Sequence, residues 1–495
     1  MSSPVIIPFS SFIKIDRTSK TPVYLQIVNQ MINAIQRGFL IKGMKLPGTR
    51  VLSRLLQVNR NTVITVYDEL ESQGWIEVLS NKGSFILNKL DGKNQKIKPY
   101  SQKYIADYPP HTGFNFKQSN ILDNPFERSN CKLTFNDGLP DMRLLQINQL
   151  SKLYSSSLKR KKNQTDAESF HQEGREFFKE NLSNFLNLTR GLHISKNNII
   201  ITRSIEMGIY IAAEILVSAG DIVVVGELSY FVTNMIFQKA GAKILTVPVN
   251  DEGIDVEAVK KLCEKKKIRM LYLTPHHHYP TTVTLSARRR LDLLELSHKY
   301  GFIILEDDYD YDFHYGNSRV LPLASADSRG MVVYVGSFGK SLVPGFRMGF
   351  IIAPQNLITE MYKFLGIIDR QGDVFMEYVL GEMIEDGEIH RHLKKTSKTY
   401  KERRDHFAQL LQTQLNNYVE FTTPTGGLAF WTKWDPSINL MEFRKNCSEQ
   451  GVFIPKSLLY QTRNITAMRL GFGSFNLNEL DDAVAKLSLV LNRLM

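Results

Sequence analysis

From Asn198 to Glu306 short apolar runs alternate with stretches in which apolar residues recur at helical spacing. Residues 198–202, 222–225, 243–248, 269–274 and 302–306 read as strands, and residues 206–218, 232–239, 256–266 and 287–300 as helices. Such alternation predicts a largely parallel sheet covered by helices on both faces, an α/β fold. Helical periodicity over 149–158 and 174–188 precedes it.

The first ninety residues follow another pattern. Tyr24, Ile27, Met31, Ala34 and Ile35 mark one amphipathic helix over 22–37, closed by Gly38. After a turn at 43–47, residues 49–56 predict a short helix capped near Gly48 or Thr49. Asn59-Arg60-Asn61-Thr62 opens a third helix through Val63, Val66, Tyr67 and Leu70 to Gly74. Two short helices across a tight turn make a helix-turn-helix, and Arg60, Asn61 and Thr62 fall in the first turn of its second helix, the part that reaches bases and phosphates. Residues 75–79 and 84–87, joined by Ser80-Asn81-Lys82-Gly83, predict a hairpin. Between 88 and 131 the chain is polar, aperiodic and rich in lysine and proline, as a linker is.

Composition sharpens this division. At 495 residues the chain exceeds one ordinary domain, and 43% hydrophobic residues suffice for a packed core. Of a net charge of +12, residues 1–90 carry +6, with 11 basic against 5 acidic residues. That density suits a polyanion such as DNA. No signal-peptide pattern or long apolar run is present, so a cytoplasmic protein is expected. Cys131, Cys263 and Cys447 are widely spaced and suggest neither a disulfide framework nor a zinc site.

Two apolar runs of the larger part end in chemistry. Residues 301–308 (GFIILEDD) end in Glu306, Asp307 and Asp308, each able to pair with a protonated pyridine nitrogen. Residues 331–350 (MVVYVGSFGKSLVPGFRMGF) carry a strand into Ser337, Lys340 and Arg347. A partly buried lysine among small residues is a nucleophile for a carbonyl, and a hydroxyl with a guanidinium suits a phosphate. Together they point to pyridoxal phosphate. A nucleotide-binding P-loop is disfavoured, because the glycine it needs is replaced by Tyr334. Both groups belong at the C-terminal edge of the sheet, where open α/β folds bind ligands.

The segments P-V-Y-x-Q-I, N-R-N-T-V and N-K-G-S-F within 22–87 resemble the winged helix-turn-helix of GntR regulators. G-L-P-D at 138–141, T-P-H-H-H-Y-P-T at 274–281, E-D-D-Y-D at 306–310 and the Lys340 motif resemble fold-type-I aminotransferases. The combination resembles the MocR-type (GabR-like) regulators. The resemblance implies a winged helix-turn-helix at 12–88, a linker at 89–132 and an aminotransferase-like effector and dimerisation domain at 133–495. It implies that Arg50, Arg60 and Thr62 contact DNA, with Asn61 beside them and Lys82-Gly83 at the wing tip. It further implies that Lys340 carries pyridoxal phosphate as a Schiff base. Asp307 would partner the pyridine nitrogen and Tyr309 the phenolic oxygen, Tyr230 would stack on the ring, and Ser337 and Arg347 would hold the phosphate.

Thr202-Arg203-Ser204-Ile205-Glu206 departs from the usual T-x-G-x-Q, yet Ser204 and Ile205 at a helix N-terminus still offer N–H groups to a phosphate. His276 to His278 are expected in a pocket loop rather than on a metal, and the basic run 390–404 on a solvated helix face rather than a second DNA strip. Arg469 reads either as a clamp for a ligand carboxylate or as a surface ion pair. The expected function is a homodimeric, pyridoxal-phosphate-dependent transcriptional regulator that binds an operator and senses the cofactor or an amine through Lys340. The alternative is a working aminotransferase with a DNA-binding head.

Overall fold

The computed structural model describes residues 9–80, 82–87, 111–119, 127–168, 176–316, 320–340, 342, 347–369 and 372–494. The chain forms two compact units, residues 1–118 and 119–495. Most of the expected linker, Asn81 of the wing turn, and Ser341 with residues 343–346 of the lysine motif lie outside the described residues.

In the first unit α1 (Phe9–Phe12) and α2 (Val23–Gln36) precede α3 (Thr49–Leu56) and α4 (Arg60–Ser72). Gln57, in the left-handed region at φ 53°, turns the chain between α3 and α4, and the Asn59 side chain caps α4 by accepting from the Asn61 N–H. The strands β1 (Ile76–Leu79) and β2 (Gly83–Ile86) pair antiparallel as the wing. Apolar residues at helical spacing from α2, α3 and α4, among them Met31, Leu52, Val66 and Leu70, form one buried core that also takes in Phe9. That core lets so short a unit fold around four helices and a hairpin.

The second unit is built on a sheet of seven strands: β3 (Ile199–Thr202), β4 (Ile222–Gly226), β5 (Lys243–Val247), β6 (Met270–Leu273), β7 (Ile303–Asp308), β8 (Val332–Ser337) and β9 (Gly349–Ile352). Their order is β3-β9-β8-β7-β6-β4-β5, and only β9 runs antiparallel to its neighbours. Apart from the edge strand β5, the strands are buried nearly throughout, which explains why they read as unbroken apolar runs rather than alternating ones. Helices α5 (Glu176–Arg190) and α6 (Ile205–Leu216) cover opposite faces, packing into separate apolar clusters.

The carboxylates that end β7 remain in the ladder, with Asp307 paired to Val335 and Asp308 to Gly336 of β8. The strand therefore runs two residues beyond the expected Glu306. A second layer follows α7 (Glu388–Gln414): the antiparallel strands Val419–Phe421, Ala429–Trp434, Leu459–Gln461 and Thr466–Gly471, backed by α8 (Leu477–Leu494).

The basic run on α7 is not wholly solvated. His392 and Arg403 are buried, and Arg403 donates to the Gly473 carbonyl at 2.7 Å and to Asp141 at 2.8 Å. Helical spacing places them on the packed face, while Lys394, Lys395, Lys398 and Lys401 face solvent. Among the described residues no helix is long and apolar enough to cross a membrane.

Because Leu70 is fully buried in the small core, Leu70→Ala should destabilise the first unit by about 2–5 kcal/mol. Scanning calorimetry of the full chain should show its transition lowered and that of the second unit unmoved.

Candidate functional site

The parallel strands deliver their loops to one edge, and there a cavity of about 290 Å³ opens. Its walls include Ser204 and Ile205 after β3, Tyr230 after β4, Tyr272 and Thr274 at the end of β6, Asp307 on β7 and Tyr309 just after it, Ser337 at the end of β8 and Lys340 beyond it. Arg347, which precedes β9, completes the wall. The structure thus brings together eight residues singled out in the sequence: Lys340, Asp307, Tyr309, Tyr230, Ser337, Arg347, Ser204 and Ile205.

The strand pleat chooses among the three acids of β7, because successive side chains point to opposite faces. Glu306 turns away and accepts from the Leu323 and Ala324 N–H groups at 2.9 Å. Asp308 turns the same way, accepting from the Tyr334 hydroxyl, with His276 at 3.4 Å and Arg190 at 3.8 Å. Asp307 alone faces the cavity. The Tyr272 hydroxyl donates to its Oδ2 at 2.7 Å, while its Oδ1 is buried without a partner. Burial, with Glu206 and Asp308 nearby, pushes the Asp307 carboxyl up to about 8 despite the Tyr272 bond. An acid poised in this way, with one oxygen free, fits a cationic ring N–H.

Lys340 is held against Tyr309. Its Nζ lies 4.6 Å from the Tyr309 ring centre and donates to the Asp137 carbonyl at 3.3 Å. Burial lowers its pKa, which favours the neutral, nucleophilic amine. The Tyr309 hydroxyl donates to the His277 carbonyl at 2.8 Å, so it must turn to serve a ligand oxygen. Tyr230 packs edge-on against Tyr279, with ring centres 5.0 Å apart, and presents an aromatic wall.

Ser204 caps α6 by accepting from the Met207 N–H at 3.2 Å, and the first turn, Ile205 and Glu206, lines the cavity, where a helix start has N–H groups without intrahelical partners. A Cβ at Gly349 would lie 2.7 Å from the Ser204 carbonyl carbon, so glycine lets β9 approach this cap. Arg347, exposed at φ 42°, and Ser337 stand beside it. Arg203 is already paired with Asp369 at 2.7 Å. The donor set fits a phosphate at the helix terminus and an aromatic ring between Tyr230 and Asp307.

Arg469 is not a surface residue. It is 1% exposed, lies behind Tyr309 and pairs with Asp137 at 2.7 Å. The three histidines each have their own partner: His276 faces Asp308, His277 Nδ1 meets Asp310 at 2.7 Å and His278 Nδ1 meets Thr281 at 2.8 Å. Among the described residues no cluster is arranged to hold a metal. Sequence reasoning missed Tyr272, Glu206, Tyr279 and Asp137, all on the cavity wall. Tyr272 had a signal, as a polar tip near the end of an apolar strand.

On the first unit Arg50, Arg60 and Asn61 are exposed, with Thr62 half-buried beside them. Arg60 Nε reaches the Thr49 hydroxyl at 3.4 Å, tying the start of α4 to that of α3. At the wing, Lys82 is exposed and Gly83 takes φ 105°, a turn that a side chain would strain.

Comparison with known proteins agrees with both units. Residues 140–487 match the model of aminotransferase class I and II, and residues 23–86 that of the gntR family of bacterial regulatory proteins. An uncharacterized HTH-type transcriptional regulator, YdfD of Bacillus subtilis, is 27% identical over 98% of this chain and 99% of its own. A probable rhizopine catabolism regulatory protein, MocR of Rhizobium meliloti, is 25% identical over 90% of this chain and 88% of its own. A kynurenine aminotransferase of Pyrococcus horikoshii, 24% identical, superposes on 74% of this chain and 92% of its own with a TM-score of 0.68, a likeness of fold.

The raised Asp307 pKa carries a signed consequence. Between its ordinary value of 3.8 and about 8 the folded protein holds a proton that the unfolded chain releases, so this group costs stability as pH rises through that window. Asp307→Asn should therefore raise Tm of the cofactor-free protein at pH 8 relative to pH 5 by about 2 °C or more. Thermal melts at the two pH values check it.

Proposed function

We propose that this chain, which belongs to the aminotransferase class I and II family and carries a gntR-family head, is a transcriptional regulator whose second unit senses an amine through pyridoxal phosphate. The observation that carries this is the meeting of Lys340, Asp307 and the α6 N-terminus on one cavity, in a chain whose full-length relatives are named transcriptional regulators. The aminotransferase class I and II fold is a pyridoxal-phosphate-dependent one. When bound, the cofactor supplies an electrophilic carbonyl and an electron sink.

The chain's residues divide the work of holding it. Lys340 would provide the covalent anchor, burial shifting its amine toward the neutral form. Asp307 would pair with the ring nitrogen, a cation beside it favouring the ionised carboxylate. Ser204, Ile205, Ser337 and Arg347 would bind the phosphate, while Tyr230 would cover the ring and Tyr309 serve the phenolic oxygen. A primary amine ligand would enter the same cavity beside Lys340, and Arg469 would receive the carboxylate of an amino acid. For regulation, that ligand must favour one conformation over another.

The gntR-type head implies DNA binding. We assign base and phosphate contacts to Arg50, Arg60, Asn61 and Thr62, with Lys82 and Gly83 at the wing. Fold-type-I aminotransferases are commonly dimeric, and a homodimer would match repeated half-sites on double-stranded DNA. A DNA-binding regulator of this kind acts in the cytoplasm. The division at 12–88, 89–132 and 133–495 belongs to the same proposal.

Incubated with pyridoxal phosphate, the purified protein should absorb in the visible, and Lys340→Ala should abolish the borohydride-reducible link. A colourless wild type would remove the cofactor from the account. Turnover with amino-acid and keto-acid pairs separates regulator from aminotransferase, since steady transamination would favour the enzyme. Arg60→Ala should weaken DNA binding about tenfold or more, within the range for one recognition contact, without changing the spectrum. Gel-shift titration over a salt series checks it, and affinity should fall steeply with salt.

A further inference from the structure

Arg469 has a carboxylate within the chain. Its Nε donates to Asp137 Oδ1 at 2.7 Å, one terminal nitrogen to the Pro280 carbonyl at 3.0 Å, and the other to the Tyr309 hydroxyl at 3.4 Å. The guanidinium also lies 4.9 Å from the Tyr279 ring centre. The Arg469 side chain is 1% exposed and that of Asp137 36%. Asp137 lines the cavity and Arg469 does not, so the aspartate covers the arginine on its cavity side. The backbone carbonyl of the same Asp137 accepts from Lys340 Nζ. One residue thus touches both the amine and the guanidinium to which an amino acid would bind.

We propose that Asp137 is a built-in competitor for the ligand carboxylate, which must displace it from Arg469 before an amino acid can seat. The proposal rests on the reading of Arg469 as the carboxylate-binding arginine. The local structure permits such an exchange. Asn136 is fixed, its carbonyl accepting from the Gly471 N–H at 2.9 Å and its amide donating to Ser474 at 2.6 Å. Asp141 is fixed by Arg143 and Arg403, each at 2.8 Å. Between these anchors lie Asp137, Gly138 at φ 75°, Leu139, which is exposed, and Pro140. The swap is therefore confined to a loop of four residues between fixed ends.

A tethered carboxylate has a high effective concentration at Arg469. A ligand's apparent affinity falls with the fraction of time the arginine is covered. Amines without a carboxylate have no need to displace Asp137. Its effect is therefore selective, weakening amino acids relative to simple amines and setting the ligand level at which the protein responds.

The test uses the full chain loaded with pyridoxal phosphate, titrated with L-alanine or ethylamine and read by visible absorption. Asp137→Asn keeps the shape but removes the competing charge, and should tighten L-alanine about tenfold relative to ethylamine, within the usual range of such couplings. An unchanged or weaker L-alanine affinity would overturn the proposal. So would an equal shift for both ligands, which would mean that Asp137 acts on the amine. A second readout needs no cofactor: sodium propionate, compared with sodium chloride at equal ionic strength, should speed amide hydrogen exchange at residues 137–139 of the wild-type chain. Equal exchange in the two salts would count against the swap. If propionate speeds exchange while no amine changes the spectrum, the cofactor-based function falls and the swap stands. If amines change the spectrum but Asp137→Asn behaves as wild type, the reverse holds.

Discussion

Burying a lysine amine and a carboxyl group at the same sheet edge is the constraint that the second unit satisfies everywhere else. Neither group is comfortable charged in a low-dielectric site, and here both shift toward neutrality: Lys340 downward and Asp307 up to about 8. The surrounding charges are settled away from the cavity. Glu306 accepts from backbone N–H groups, and Asp308 accepts from Tyr334 with His276 and Arg190 beside it. Such an arrangement leaves an amine, and an acid with one unpartnered oxygen, facing one space, where a carbonyl compound with a basic ring nitrogen would satisfy both.

Much of this was legible in the sequence because it is local. A fully buried parallel strand reads as an apolar run, and residues just after it must lie at the strand's C-terminal edge, so Lys340 and Ser337 could be placed without any structure. The choice of Asp307 over its neighbours was not available from composition, since all three acids suit the chemistry. It follows from the pleat and from which face each neighbouring helix covers. β9 went unread because Gly349 to Ile352 looks like the tail of the lysine motif, and its antiparallel insertion between β3 and β8 depends on pairings far apart in the chain.

The failures share that origin. Arg469 looked equally like a clamp or a surface pair, yet it is buried against a residue 332 positions away. Arg403 sat in a run of surface-like lysines, and only the packing of α7 shows that it is interior. Asp137 stood in a turn-rich stretch that gave no hint of a cavity. Long-range ion pairs decide these cases, and single-sequence periodicity carries no information about them.

The proposed function joins the two units: a gntR-type head that would read DNA and a second unit that would respond to an amine. Its most direct test is DNA affinity as a function of amine. With a DNA fragment selected by the cofactor-loaded protein from random sequence, fluorescence anisotropy should show its affinity changing about fivefold or more between saturating and no amine, the scale of a typical coupling. The change should vanish in Lys340→Ala. Equal affinity with and without every amine that alters the visible spectrum would contradict the account, because the second unit would then bind its ligand without reporting it to DNA.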